Sequence, residues 1–298
     1  MISIKDFSKI FDDYSAVSSL SVDIESGNVF GLLGSNGSGK STLLRSIAGI
    51  YEPDNGNITV DGIDVFENTD FKNDMFFVSD TPYFFEQSTI NDMANFYRQF
   101  YSNWDEDIFK RMCEVFPLDT NKRISRFSKG MKRQAEIILA LSCSPKYLLL
   151  DEAFDGLDAV MRTVLKKLIL EKIVDRQMTV IVSSHNISEF ENLCDSILVL
   201  HMGKKILCKT KDELSQFITK AQIAFNLPPS PEMFSNLDVI SYENRGNLAT
   251  VIVRGNISET ETKLKKLNPI FLDILPTSLD EVFLYEMEAN GYDSEYIG

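Results

Sequence analysis

Apolar and polar residues follow two different periods along the first two hundred positions. Residues 2–7 and 17–24 alternate around an Asp-Asp pair, which predicts two antiparallel strands. Continuous apolar runs at 29–33, 75–79 and 179–184 are typical of buried strands. A further run at 147–150 ends in two acidic residues, and helix-like spacing fills the intervals between the runs. The pattern predicts an α/β domain.

The pattern changes between residues 86 and 145, where no strand-like run occurs. Helical spacing there predicts a helical insert in the α/β domain. Aromatic residues recur along its first part at helical intervals, at Phe96, Tyr97, Phe100, Tyr101 and Trp104. Such a stripe more often belongs to a core, and the other interpretation is a groove for a helix of a partner protein.

The chain beyond residue 212 predicts a second, smaller domain. We expect a larger α/β domain over 1–211, with its helical subdomain at about 86–145, and an accessory α+β domain over 212–298. Predicted strands at 250–253 and 270–275 alternate there with predicted helices at 259–267 and 278–287. The region contains no catalytic pattern, and residues 290–298 are expected to fray.

A glycine-rich segment follows the apolar run at 29–33 and fits G-x-x-x-x-G-K-[ST]. Its residues are Gly34, Ser35, Asn36, Gly37, Ser38, Gly39, Lys40, Ser41 and Thr42. Between a strand and a helix, the backbone N–H groups of such a loop form a nest for phosphates. We expect Lys40 to reach the β- and γ-phosphates of a nucleotide and the Ser41 hydroxyl to bind Mg²⁺.

Acidic residues stand at the end of a second buried strand. Asp151 and Glu152 follow the apolar run at 147–150, at the edge of an α/β sheet where ligands bind. Together with the glycine loop they predict Asp151 as a Mg²⁺ ligand and Glu152 as the residue that polarises a water. His185 ends the run at 179–184 and could donate a hydrogen bond to a γ-phosphate, although a lone histidine is more often structural.

Two further candidates have a structural and a functional interpretation. Ser128 can cap the helix that begins near Gly130, or it can form a second anion site with Lys129 and the Gly130 amide. Phe11 can pack in the core or stack on an adenine ring, and the spacing does not decide between them.

Composition excludes several classes of protein. The 298 residues carry a formal net charge of −14, which argues against a large nucleic-acid interface. No run of 18 apolar residues and no secretory signal is found, so we expect a chain without its own membrane span. The four cysteines are scattered without a C-x-x-C pair, which predicts reduced thiols and no cysteine metal site.

In their order and spacing, these motifs resemble the nucleotide-binding subunit of ATP-binding cassette (ABC) transporters over residues 1 to about 210. The glycine loop is similar to Walker A, and the strand ending in Glu152 is similar to Walker B with its catalytic glutamate. Residues 155–158 resemble the D-loop, His185 the switch histidine, and Phe11 the adenine-stacking aromatic. The resemblance implies a P-loop core sheet with an antiparallel β subdomain, ATP and Mg²⁺ as cofactors, and catalytic roles for Glu152, His185 and Lys40.

The chain departs from the family pattern at two places. The signature reads Phe-Ser-Lys-Gly-Met, so Lys129 replaces a glycine and Met131 a glutamine, while Ser128 and Gly130 remain. Asp80 stands where the family has a glutamine that touches Mg²⁺ and the membrane partner, which makes it a candidate metal ligand. An ionised carboxylate cannot donate a hydrogen bond, so Asp80 cannot contact a γ-phosphate in the way that a glutamine amide does.

The resemblance also implies partners and a location. Two cassettes, either identical or paralogous, would enclose ATP, and an integral membrane permease would carry the substrate at the cytoplasmic face of a bacterial membrane. The pattern at 278–283 resembles exporter-type (ABC-2) ATPases, including Gram-positive cassettes for antimicrobial peptides or phenol-soluble modulins. The alternatives are a non-transport ATPase of the same fold and a regulatory module that binds the nucleotide without hydrolysing it.

Overall fold

The computed structural model describes residues 1–190, 193–213, 218–277, 281–282 and 285. The chain divides into two compact units, Met1–Cys208 and Lys209–Gly298. The sequence-based boundary stands near residue 212. No helix in the described part of the chain is both long enough and apolar enough to cross a membrane.

Within the described residues up to Thr210, the chain contains ten strands and six α-helices. The strands are β1 (Ile2–Phe11), β2 (Tyr14–Ile24), β3 (Val29–Leu33), β4 (Asn55–Val60), β5 (Ile63–Asp64), β6 (Met75–Val78), β7 (Tyr147–Asp151), β8 (Thr179–Ser184), β9 (Ser196–His201) and β10 (Lys204–Thr210). The helices are α1 (Lys40–Ile47), α2 (Thr69–Asp74), α3 (Ile90–Tyr97), α4 (Glu106–Val115), α5 (Lys129–Ser142) and α6 (Ala159–Arg176).

The strands form two sheets. Four strands make a sheet in the order β2-β1-β4-β5, with antiparallel pairing between neighbours. Six strands make the second sheet in the order β10-β9-β3-β8-β7-β6, and the pairs from β9 to β6 are parallel. Strands β3, β7 and β8 are buried along their whole length, as their apolar runs predict. The predicted fold class is confirmed.

Parallel pairing places the functional motifs together. Leu33 pairs with Ser184 and Asp151 pairs with Ser183, so the carboxyl ends of β3, β7 and β8 lie side by side. The glycine loop, the acidic pair and His185 each follow one of these ends. Ligands bind at this edge of an open parallel sheet, and the fold therefore assembles the candidate site.

The aromatic stripe of the helical insert does not lie on one helix. Helix α3 ends at Tyr97, and the chain turns before the later aromatic residues are reached. Tyr97 and Tyr101 pack against the ring of Phe76, at centroid distances of 5.3 and 5.6 Å. Phe100 instead packs on Phe96 at 4.8 Å and is 56% exposed. The stripe therefore divides into a core part and a surface part.

Several elements were missing from the sequence-based prediction. Helix α2 has a polar sequence, and the Asn68 side chain caps it by accepting a hydrogen bond from the Phe71 amide. The second unit contains β11 (Ile218–Ala224), β12 (Asp238–Arg245), β13 (Leu248–Arg254), α7 (Ile257–Lys265) and β14 (Phe271–Leu275).

The second unit forms a four-stranded sheet in the order β12-β13-β11-β14. Strands β11 and β12 were not predicted, because polar residues interrupt their apolar faces. Most of the predicted helix 278–287, and the end at 290–298, lie outside the described residues.

Candidate functional site

The glycine loop joins β3 to α1 by a backbone path that requires glycine. Gly37 and Gly39 have left-handed φ values of +79° and +104°. At Gly34 a Cβ atom would lie 2.4 Å from the Leu200 carbonyl oxygen, and at Gly39 it would lie 2.5 Å from the Ala16 carbonyl oxygen. The loop therefore curls against neighbouring backbone, and a glycine loop that curls in front of a helix can present amides to an anion.

Lys40 begins α1 and is 5% exposed. Its Nζ atom donates hydrogen bonds to the carbonyl oxygens of Gly34 at 2.7 Å and Ser35 at 3.2 Å. The ammonium group thus lies inside the curl of the loop. A cation held there favours a polyphosphate.

Asp151 is fully buried at the end of β7. The Ser183 hydroxyl donates to its Oδ1 atom at 2.7 Å, while its Oδ2 atom is buried with no hydrogen-bond partner among the described residues. Burial raises the pKa of Asp151, and the neighbouring hydroxyls of Ser183 and Ser41 act in the opposite direction. An orphaned carboxylate oxygen beside a hydroxyl suits a hard divalent cation, so Asp151 and Ser41 fit Mg²⁺.

Glu152 lies between the two other predicted catalytic side chains. Its Oε1 atom is 3.3 Å from Lys40 Nζ, and its Oε2 atom is 3.0 Å from His185 Nδ1. The backbone of Glu152 is left-handed, with φ of +48°, and its amide donates to the Ser183 hydroxyl at 3.1 Å. Strained non-glycine backbone concentrates at functional sites. Asp155 also approaches, with a carboxylate oxygen within 4.8 Å of ligand atoms of Glu152 and His185.

Asp80 lies in the loop after β6 and lines the same pocket as the glycine loop. Its Oδ1 atom is 3.1 Å from Nη2 of Arg45, an arginine on α1 that the sequence-based prediction did not include. The positive charge of Arg45 compensates the negative charge of Asp80, which stands where the family has a neutral glutamine. A contact between Asp80 and a metal stays a prediction.

An aromatic residue other than the predicted Phe11, Tyr14, contacts the glycine loop. The Tyr14 hydroxyl donates to the Gly37 carbonyl oxygen at 3.2 Å, and Tyr14 lines the pocket over the loop. Phe11 is 38% exposed and packs edge-on against Tyr51 at 5.2 Å. Adenine stacking by Phe11 stays a prediction. Sequence analysis missed Tyr14 because only the β1–β2 turn brings it over the loop.

The signature segment begins α5. Ser128 caps this helix, since its hydroxyl accepts a hydrogen bond from the Met131 amide at 3.2 Å. A Cβ atom at Gly130 would lie 2.5 Å from the Gly156 carbonyl oxygen, so glycine is required where the signature meets the D-loop. The exposed Lys129 lines a cleft of about 510 Å³. The same cleft is lined by Asn36, Asp80, Glu152, Asp155 and His185. Nucleotide binding by Ser128, Lys129 and Gly130 stays a prediction.

Helix α5 also carries a buried ion pair. Nη1 of Arg133 is 2.9 Å from Oε2 of Glu136, and the two residues are 1% and 8% exposed. Burial raises the pKa of Glu136 to about 7 from its ordinary value of 4.5, although Arg133 acts in the opposite direction. Asp80 raises this pKa further, and Tyr97 on α3 is also close enough to interact with the charge.

The raised pKa of Glu136 predicts a pH-dependent stability. The folded chain binds more protons at Glu136 than the unfolded chain between pH 4.5 and 7, so the free energy of unfolding falls as the pH rises through this window. Glu136→Gln removes this pH dependence, so we expect the melting temperature of the variant relative to that of wild type to rise between pH 4.5 and pH 8, on top of a pH-independent cost of leaving Arg133 without its partner. Thermal melts across this range test the prediction, with the exposed Glu114→Gln on α4 as a control. Parallel curves of melting temperature against pH for wild type and Glu136→Gln would contradict the prediction.

Comparisons with known proteins agree with this geometry. A family model described as ABC transporter matches residues 17–155. The ABC transporter ATP-binding protein NatA of Bacillus subtilis is 35% identical over 69% of this chain and 88% of its own length. YtrB, another ABC transporter ATP-binding protein of Bacillus subtilis, is 28% identical over 95% of this chain and 97% of its own length.

A solved structure of the ATP-binding subunit of an ABC transporter superposes with a TM-score of 0.66 at 25% identity. The match covers 72% of this chain and 91% of that chain. Neither the alternative of a non-transport ATPase nor that of a regulatory module gains support, because these relatives are named as transporter subunits. The chain belongs to the ATP-binding proteins of ABC transporters and is an ATPase subunit of this family.

Proposed function

We propose that this chain binds and hydrolyses Mg-ATP to power export through a separate membrane permease. The observation that carries the proposal is the position of the Glu152 carboxylate between Lys40 and His185. One side chain there touches both the cation of the phosphate loop and the histidine of the adjacent strand. This is the arrangement in which a base, a charge stabiliser and an orienting residue act on one phosphoryl group.

Each residue contributes a separate part of the chemistry. The loop amides and Lys40 hold the phosphates, so Lys40 exchanges its bonds to Gly34 and Ser35 for bonds to phosphate oxygens. Glu152 orients the attacking water and accepts its proton, while His185 fixes the carboxylate and can reach the γ-phosphate. Ser41 and Asp151, with Asp80 as a further candidate, would hold Mg²⁺, which neutralises charge that develops on the phosphates.

A second copy of the cassette completes the site. The nucleotide carries more negative charge than one glycine loop neutralises, and Ser128, Lys129 and Gly130 offer a second anion site at the start of α5. The added Lys129 is exposed and strengthens that site electrostatically. We propose that two copies, or this chain and a paralogue, close on ATP and separate after hydrolysis.

The proposed cargo is an antimicrobial or amphipathic molecule. Support comes from the names of two relatives, a bacitracin transport protein of Bacillus licheniformis at 29% identity and a linearmycin resistance protein of Bacillus subtilis at 31%. The permease would hold the chain at the cytoplasmic face of a bacterial membrane. A net charge of −14 complements the lysines and arginines that are common in cytoplasmic loops of membrane proteins.

A cluster of aromatic residues beside Asp80 is the proposed permease contact. We call Tyr83, Phe85, Phe96 and Phe100 the aromatic patch. Its rings follow one another at centroid distances of 6.3, 4.9 and 4.8 Å, and Tyr83 is 76% exposed. Aromatic side chains are preferred anchors at interfaces.

Co-purification with the permease encoded by a neighbouring gene tests the proposal. We expect wild type to retain the permease and the double variant Phe85→Ser/Phe100→Ser to lose most of it, because the patch supplies apolar contact area. Val174→Ser serves as the control, since Val174 is an 83% exposed apolar residue on α6. Failure of wild type to retain any membrane protein would contradict the proposed partner.

A further inference from the structure

A buried arginine links α5 to the loop that carries Asp80. Nη1 of Arg133 donates to the Ser79 carbonyl oxygen at 2.5 Å, and Nη2 donates to the Asp80 carbonyl oxygen at 2.7 Å. The planar guanidinium thus holds two successive carbonyls of the loop after β6. A lysine ammonium lacks this fork and cannot reproduce the arrangement.

Glu136 completes the contact. It pairs with Arg133 Nη1 at 2.9 Å. We call Arg133, Glu136 and the backbone of Ser79 and Asp80 the arginine clamp. Burying two charges is expensive, and apolar residues of similar size are often more stabilising. The clamp is therefore better explained by positioning than by stability.

The clamp lies on a continuous line of contacts between two parts of the site. Ser128 and Gly130 stand at the start of α5, about one turn before Arg133. Beyond the clamp, the Asp80 carboxylate pairs with Arg45 on α1, the helix that Lys40 begins. The signature segment and the phosphate-loop helix of one chain are thus joined through the backbone and side chain of Asp80.

We propose that Arg133 is a positioning residue that couples the signature segment to Asp80. When Ser128 and Gly130 engage a nucleotide, displacement of α5 is carried by Arg133 to the Asp80 backbone, and the Asp80 carboxylate shifts at the edge of the nucleotide pocket. The loop responds through its backbone, so coupling does not require the glutamine amide that Asp80 replaces. This inference rests on the proposed ATPase function.

Arg133→Lys tests the coupling by steady-state kinetics. The lysine keeps a charge beside Glu136 but cannot hold both carbonyls, so we expect kcat to fall about tenfold or more as the loop loses its position. The KM for ATP and the affinity for a fluorescent ATP analogue should stay within about twofold of wild type, because the glycine loop is untouched. Arg126→Lys, at an exposed position before the signature, is the matched control and should behave as wild type.

Hydrogen exchange of the amides at residues 79–81 gives a readout that does not depend on hydrolysis. We expect faster exchange there in Arg133→Lys than in wild type and in Arg126→Lys.

If Arg133→Lys fails to fold, the double variant Arg133→Met/Glu136→Gln removes both buried charges together and takes its place. Unchanged kcat and exchange in a folded variant would overturn the proposal, and so would a joint loss of kcat, nucleotide affinity and melting temperature. Absence of ATPase activity in wild type would instead refute the proposed function. The exchange result would still test whether Arg133 holds the loop at residues 79–81 in place.

Discussion

Glu152→Gln is expected to lower the rate of ATP hydrolysis by about 10²-fold or more, which is the usual contribution of a positioned general base. Glutamine has the same size and can still accept a hydrogen bond from His185. It cannot take a proton from water, and its neutral amide no longer attracts the Lys40 ammonium across the 3.3 Å contact. Phosphate release under saturating Mg-ATP measures the effect.

The same variant is expected to retain ATP and to accumulate as a dimer, because the γ-phosphate that bridges the two copies is not removed. Size-exclusion chromatography with and without Mg-ATP tests this result. Glu114→Gln makes the same chemical change at an exposed position of α4 and should hydrolyse ATP as wild type does. A Glu152→Gln protein that stays monomeric with ATP would contradict a nucleotide site shared between two copies.

Lys40→Ala is expected to weaken ATP binding by about 10- to 100-fold, since hydrogen bonds to charged groups contribute about 1.5–3 kcal/mol each. Lys40 is 5% exposed and already lies within the curl of the loop, where it donates to two carbonyl oxygens. Its loss removes the cation that the phosphates need and leaves the Glu152 carboxylate without its nearest positive charge. Hydrolysis should fall with binding.

Titration with a fluorescent ATP analogue measures the affinity of the Lys40 variant. Lys122→Ala removes a lysine from an exposed loop position and should bind the analogue as wild type does. Unaltered affinity and unaltered ATPase activity in Lys40→Ala would show that the glycine loop is not the phosphate site. Circular dichroism verifies that the variant is folded, which needs checking because the Gly34 carbonyl that loses its Lys40 partner is buried.

Local pattern accounted for much of the fold. Buried apolar runs identified β3, β7 and β8, because a strand covered on both faces needs no polar alternation. Helix α2 and strands β11 and β12 were missed, because their stability depends on packing rather than on their own periodicity. The prediction that the aromatic stripe belongs to a core was only partly right. Helix α3 ends at Tyr97, after which Tyr101 packs in the core while Phe100 is exposed.

The sequence by itself determined the chemistry that this protein can carry. The spacing of Gly34, Gly39 and Lys40 already predicts a phosphate loop, because the required backbone curl and the lysine are local properties. The acidic pair after β7 and the histidine after β8 likewise follow from short motifs at strand ends.

Only the tertiary structure decided which of these groups meet. The contacts of Glu152 with Lys40 and His185, of Asp80 with Arg45, and of Arg133 with the Ser79 and Asp80 carbonyls join residues that are far apart in the chain. No local periodicity encodes such pairs, since they depend on the strand order of the sheet and on the packing of α5 against the loop after β6. The sequence therefore specifies the reactive groups, and long-range packing specifies how they can act together.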